Sequence, residues 1–281
     1  MFVLKLVREI PLAADVYAIR PRGRQEEILF NFENTEVRAM SCPAGVEMAR
    51  TTLPDSEFLI HEWLVSPDGN TSYLLSADDI DYGIRIDHVA GVAARFAVPR
   101  EFGVASGLAW WEPRFAVLST KDVVWVAGPS GLVKASSEEA DALYTPRFRG
   151  ITKRFGVMKT DPHGRGLYVT SRAYENMTIG FAPTADDGAD DSAAPLLMPQ
   201  DGSAVDVTSY RDALFVSFEN ELVQHRRGRT DVMFTSAELE MIIAVNVIES
   251  AAGSAHLVVL IGSEDKREAR LEFFEIMASE A

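Results

Sequence analysis

Five histidines, His61, His88, His163, His225 and His256, and one cysteine, Cys42, are the side chains of this chain best suited to hold a metal or relay a proton. No two histidines stand at i, i+2 or i+4, the spacings that bring two imidazoles onto one strand face or one helical turn, so their order defines no metal site. There is no GxSxG elbow and no HExxH pair. The GPSG at Gly128 lies between two strand-like runs with no helix behind it to receive a phosphate. Asp186, Asp187, Asp190 and Asp191 lack the alternation and closing Glu of an EF-hand loop, and their segment reads as a solvated, acidic loop. A lone cysteine cannot close an internal disulfide, which points to a reducing compartment and a half-buried strand thiol.

Recognition chemistry is better represented than catalysis. Trp111, followed by Glu112, Pro113 and Arg114, has the composition of an exposed loop tip carrying the Trp and Arg anchors of protein interfaces. The run HRRGR, with Arg226, Arg227 and Arg229, reads as a hairpin turn and as a docking point for an acidic partner. These five residues are the candidate partner-binding set.

The elements that must position them follow a repeat. An apolar stretch, a turn with Gly, Asp or Asn, and a second apolar stretch recur about every 40 to 50 residues, the period of radially stacked small sheets. Clear copies are WLVSPDGNTSYLLSADD from Trp63, FGVMKTDPHGRGLYVTSRAYENMTIGF from Phe155 and VDVTSYRDALFVSFENELVQH from Val205. Three or four strand candidates fall in each repeat, and a two-residue turn at Asn34 and Thr35 makes two of them antiparallel neighbours. The last repeat is one strand short, while MFVLKLVREI at the start has no partner of its own. Pairing the two closes the ring and removes an open sheet edge. The expectation is a single all-β propeller over residues 1–281 with six blades. Seven blades require splitting the fourth repeat, and a pair of β-sandwiches is the other all-β arrangement. SSEEADALY from Ser136 and TSAELEMI from Thr235 are the only helix candidates, and either also fits a turn.

In a propeller the innermost strands converge, and their polar residues here are Asp15, His61, Glu62, Lys159, Asp206 and Asn246. Glu62, Asp206 and Asn246 could hold a divalent cation such as calcium that polarises a lactone or phosphoester. The plainer reading has these side chains bonding backbone groups and channel water.

Composition narrows the partners. The chain has 281 residues, 47% of them hydrophobic, and a formal charge of −15, a surface that repels nucleic acid and anionic lipid. The alternation at the N-terminus reads as a strand, not a signal peptide, and no apolar run reaches the roughly 20 residues of a membrane span. A soluble, cytoplasmic protein is expected.

The phrases SPDGNTSYLLSADDIDYGIRI from Ser66 and DPHGRGLYVTSRAYENMTIGF from Asp161 resemble the blades of WD-repeat and YVTN-type propellers, a likeness spanning most of the chain, although no blade carries the Gly-His and Trp-Asp dipeptides. That resemblance implies a rigid platform for other proteins. SGLAWWEP and SPDG also look like fragments of gluconolactonase-type six-bladed lactonases, which implies a channel metal held by Glu, Asn and Asp. The expectation is a non-catalytic scaffold with no cofactor and a protein partner of unknown identity; the alternative is a metal-dependent lactonase-like hydrolase.

Overall fold

The structure is a computed structural model that describes residues 2–12, 15–22, 26–76, 78, 80–103, 105–111, 114–119, 124–128, 131–138, 155–160, 166–171, 178–183, 196–197, 204–263 and 268–278; from 104 through 204, side chains are described at 125–127 and 131–138 only. The acidic loop at Asp186, Asp187, Asp190 and Asp191 lies outside the described residues.

Turn chemistry cuts the chain into short strands. At the PDG turn, Asp68 Oδ1 accepts hydrogen bonds from the Ser66 hydroxyl at 2.5 Å and the Asn70 N–H at 3.0 Å, and Val65 then pairs with Ser72. An Asx-type turn of this kind satisfies backbone donors that no ladder reaches. The turn at Asn34 has three residues, not the expected two: Phe32 pairs with Glu36, and Glu33 takes a φ of 49° to complete the reversal. Thr235 begins no helix. Residues 238–239 form a turn and Glu240 already opens a strand, because the Ile, Val and Ile behind it are drawn into a ladder. At the other helix candidate, residues 137–138 are helical and 139–144 lie outside the described residues.

The chain opens with β1 (Phe2–Leu12). A sheet of β2 (Ile19–Pro21), β3 (Glu27–Phe32), β4 (Glu36–Ser41) and β5 (Glu47–Thr52) follows, each strand antiparallel to the next. Then come β6 (Ile60–Val65), β7 (Thr71–Ser76), β8 (Tyr82–Asp87) and β9 (Val92–Ala97), and after them β10 (Ala105–Trp111), β11 (Arg114–Ser119), β12 (Val124–Gly128) and β13 (Gly131–Lys134). These eight form one sheet of order β10-β11-β12-β13-β9-β8-β7-β6, joined by one parallel pair, Gly131 with Ala97. Four-stranded sheets are again formed by β14 (Phe155–Thr160), β15 (Gly166–Ser171), β16 (Thr178–Pro183) and β17 (Leu196–Leu197), and by β18 (Ala204–Tyr210), β19 (Ala213–Phe218), β20 (Glu221–Arg226) and β21 (Arg229–Thr235). The last sheet contains β22 (Glu240–Glu249), β23 (Ala255–Ser263) and β24 (Ala269–Ala278), and β1 completes it in the order β1-β24-β23-β22. Phe2 lies opposite Ala278 and Leu12 opposite Ala269, with a bulge between Leu6 and Arg8.

The apolar alternation explains the stacking. On β23, Leu257, Val259 and Ile261 pack with Phe215 and Leu222 of the β18–β21 sheet, while Val258 and Leu260 point the other way, to Ile28 and Phe30 of β3. On β3 itself, Leu29 turns toward Trp63 and Leu74 in the next sheet. Each middle strand thus buries both faces against different neighbours. Such strands read as unbroken apolar runs in sequence, and burying each side chain contributes about 1.5–3 kcal/mol.

Leu260 is fully buried. Replacing it with Ala should cost about 2–5 kcal/mol in urea unfolding, whereas Val133→Ala, at a side chain 45% exposed, should cost less than about 0.5 kcal/mol.

Candidate functional site

Six strands meet one another in turn, β2 with β6, β6 with β10 of the same sheet, β10 with β14, β14 with β18, β18 with β22, and β22 again with β2. A strand at the inner end of its sheet has one ladder partner, so half of its backbone groups need bonds from elsewhere. Side chains of the neighbouring sheet supply them. Asp206 Oδ2 on β18 accepts the Val245 N–H of β22 at 3.0 Å, and Thr208 Oγ1 accepts the Val247 N–H at 3.3 Å. Asn246 Nδ2 donates to the Ile19 carbonyl of β2 at 3.1 Å, and Arg20 Nε donates to the Trp63 carbonyl of β6 at 2.7 Å. One pattern of side chain to backbone runs from β18 through β22 and β2 to β6.

Two of the three candidate metal ligands therefore sit in seams between sheets. Both carboxylate oxygens of Asp206 accept backbone N–H groups, Oδ1 from Val207 at 2.9 Å and Oδ2 from Val245. Glu62 lies two sheets on from Asn246, on β6. Among the described residues no group of three or more His, Cys, Asp and Glu side chains is placed to hold an ion. Nothing in these residues supports the hydrolase alternative. Of the other inner polar residues, Asp15 gives its carbonyl to Asn31 Nδ2 at 3.1 Å, His61 is exposed on β6, and the Lys159 side chain is outside the described set.

The five candidate docking residues occupy two hairpins. Trp111 and Arg114 lie opposite each other at the end of β10 and β11, with 112–113 and both side chains outside the described set. Arg226 and Arg229 are likewise paired, across a turn in which Arg227 and Gly228 have φ of 53° and 76°. Positive φ at both central positions matches the twist of the flanking strands. Arg226 Nε reaches Asp212 Oδ1 at 2.8 Å, Arg227 Nε reaches Asp212 Oδ2 at 3.2 Å, and Arg229 Nη2 reaches Asp231 at 2.8 Å. The hydrogen bond from Arg226 is the main reason the Asp212 carboxyl is held below its usual range.

A further polar chain escapes sequence reading because its members are 9 and 16 residues apart. Trp63 Nε1 donates to Ser72 Oγ at 2.9 Å, and that oxygen lies 2.7 Å from His88 Nε2. Indole only donates, so the serine oxygen accepts from it, and the direction of the second bond follows the His88 tautomer. Burial, with the Arg22 charge second, lowers the His88 pKa to about 4.

Asp206→Ala should destabilise the protein by about 1–3 kcal/mol in denaturant unfolding, because the buried Val245 N–H loses its acceptor. For His88, the unfolded chain takes up a proton below about pH 6.5 while the folded chain resists until about pH 4. Its contribution is thus full above the unfolded value and lost as pH falls through that window. His88→Gln should therefore lose less of its urea midpoint between pH 7 and pH 4 than the parent; an equal loss would show that His88 is not the titrating group.

No protein-family model and no curated protein matches the chain. Solved structures do. The crystal structure of the RRP9 WD40 repeats superposes with a TM-score of 0.64 at 10% identity, covering 96% of this chain and 99% of that one. The β-propeller domain of Myceliophteria thermophila Cps50 (Swd1) gives 0.60 at 11% identity, with the same coverage of 96% and 99%. With radial sheets closed by the N-terminal strand, the chain is an all-β propeller, similar in fold to the RRP9 WD40 repeats and to the Cps50 (Swd1) β-propeller domain.

Proposed function

We propose that this chain is a non-catalytic, six-bladed propeller forming a single domain over residues 1–281, and that it acts in the cytoplasm as an interaction scaffold or as a subunit of a larger assembly. The observation that carries the reading is the use made of the inner polar residues. Asp206, Thr208, Asn246 and Arg20 tie neighbouring sheets together, which favours a stiff platform over a reactive channel.

Six blades rests on treating the eight-stranded sheet as two. Its halves are antiparallel throughout and touch through one parallel pair, at Gly131. Gly131 has a φ of 151°, and a Cβ there would lie 2.3 Å from the Ala97 carbonyl oxygen. A single bridge at a glycine, where two backbones approach closely, favours a contact between two blades over a continued ladder. The 24 described strands then divide into fours, with β1 completing the last set.

Docking is assigned to the two hairpins that end in Trp111 and Arg114 and in Arg226 and Arg229, with a protein partner and no cofactor. The acidic net charge disfavours nucleic acid and membrane surfaces. The cytoplasmic assignment draws on the cysteine count, since secreted chains of this size usually carry cysteines in pairs; Cys42 itself is buried in the turn after β4, not half-buried in a strand, and its thiol is pushed up to about 12, chiefly by burial.

The test is quantitative partner capture by the tagged full chain, compared with Trp111→Ala/Arg114→Ala, with Arg226→Ala/Arg227→Ala/Arg229→Ala, and with all five changes combined. The combined variant should melt as the parent does and lose the parent's specific partners. Unchanged capture by that variant would sink the assignment.

A further inference from the structure

Four arginines gather at one corner of the β18–β21 sheet, three of them in the hairpin just described and one, Arg211, in the turn beside it. Tyr210 pairs with Ala213 around Arg211 and Asp212, and Ala213 pairs in turn with Arg226, so the two turns lie side by side. Arg211 and Arg227 have φ of 54° and 53°, the left-handed region where glycine or asparagine is the easier choice. The chain places arginine at both tips all the same. Arg226 and Arg227 share one carboxylate, that of Asp212, and Arg229 uses Asp231. Arg211 lies 5.0 Å above the ring of Tyr210, and Arg226 lies 4.7 Å above that of Phe2. Among the described residues, three of these four guanidinium groups bond two carboxylates between them, a local positive excess on a chain whose formal charge is −15. The side chains of Arg227 and Arg229 are 80% and 76% exposed; Arg229 uses Nε and Nη2 on Asp231 and Arg227 uses Nε on Asp212, so the outer amino groups of each face solvent and a second acceptor.

Donors are also in surplus beneath the rim. Gln224, two residues before Arg226 on the same face of β20, accepts the Phe2 backbone N–H with Oε1 at 2.9 Å, and its buried Nε2 has no partner.

We propose that this rim docks an extended acidic peptide of a partner protein, with Arg227 and Arg229 at one turn tip and Arg211 at the other each bonding one of its carboxylates and Arg226 flanking them. The proposal rests on the scaffold reading and gives that site its ligand chemistry. The two turn tips are about two strand spacings apart, roughly 10 Å, which matches carboxylates about three residues apart on an extended chain. A short acidic segment gains this attraction without running onto the acidic remainder of the surface, where a nucleic acid would be repelled.

The probe is a fluorescein-labelled peptide of repeated Glu-Gly-Gly, titrated with the full chain by fluorescence anisotropy at low salt. The parent should bind it. Arg227→Glu/Arg229→Glu should weaken binding at least about tenfold with unchanged thermal unfolding, as expected for exposed turn residues. Arg50→Glu, a change of the same sign at a guanidinium 50% exposed on β5, should change it less than about twofold if the attraction is local. Arg227→Lys/Arg229→Lys, which keeps the charge and loses the fork, should fall between parent and double reversal. Equal weakening by Arg50→Glu, no weakening by the double reversal, or tighter binding of a labelled oligothymidylate of equal charge would each overturn the proposal. Those outcomes leave the scaffold reading standing, because Trp111→Ala/Arg114→Ala tests it in partner capture without touching the arginine rim.

Discussion

Everything in this fold depends on what β1 does at the two ends of its ladder. Its pairing with β24 joins the opening of the chain to its close and supplies the strand that the last sheet lacks. The strand also belongs to two cores. Phe2 packs with Tyr210 and Phe215 on the β18–β21 side, while Leu12 and the partly buried Ile10 pack with Met40 and Cys42 on the β2–β5 side. One strand therefore holds three sheets together. A contact between residues this distant in sequence closes a very long loop, and its entropic cost is offset only because ladder and cores form together. A fold of such non-local pairing is expected to assemble slowly and to come apart cooperatively.

The inner edges pose the opposite problem. Sheets that converge on an axis leave their first strands half-bonded, and a buried N–H without an acceptor is costly. The solution at β18, β22 and β2 is a polar side chain from each first strand reaching the backbone of the next. Asp206 and Asn246 are fixed by this role, and their burial, 5% and 1% exposed, follows from it. Stiffness of this kind is what the proposed platform role would require.

Charge is distributed to the same end. The sequence carries a formal charge of −15, which on average repels other polyanions. The arginine corner is a local exception, built on two hairpin turns that the sheet beneath them holds in place. Where ion pairs are internal to a sheet, as in Arg38 with Glu36 and Glu47 on β4 and β5, the guanidinium is largely covered and lies over Phe32. Arg227 and Arg229 are bonded to aspartates yet exposed, so their charge reaches solvent.

The strands were legible in the sequence because period-2 runs and short Pro, Gly and Asp turns are local signals, and the unpaired first strand was legible as a vacancy in the last repeat. Turn detail was harder to read. The Asn34 reversal took a third residue, and the segment after Thr235, whose Ser and Glu looked like a helix cap, was captured by the β23 ladder, since tertiary pairing overrides weak helical propensity. The HRRGR hairpin was read correctly as a turn, but its neighbour Arg211 was not singled out, because the pairing of Ala213 with Arg226 is a fact of the sheet. Nor could spacing reveal that Trp63, Ser72 and His88 form one chain of hydrogen bonds. By itself, then, the sequence determined the strands, their turns and the need to close a ring, since these depend on neighbours along the chain. Only the tertiary structure decided that Asp206 and Asn246 bond backbone in the seams and that Arg211 joins Arg227, because both depend on which strand lies next in space.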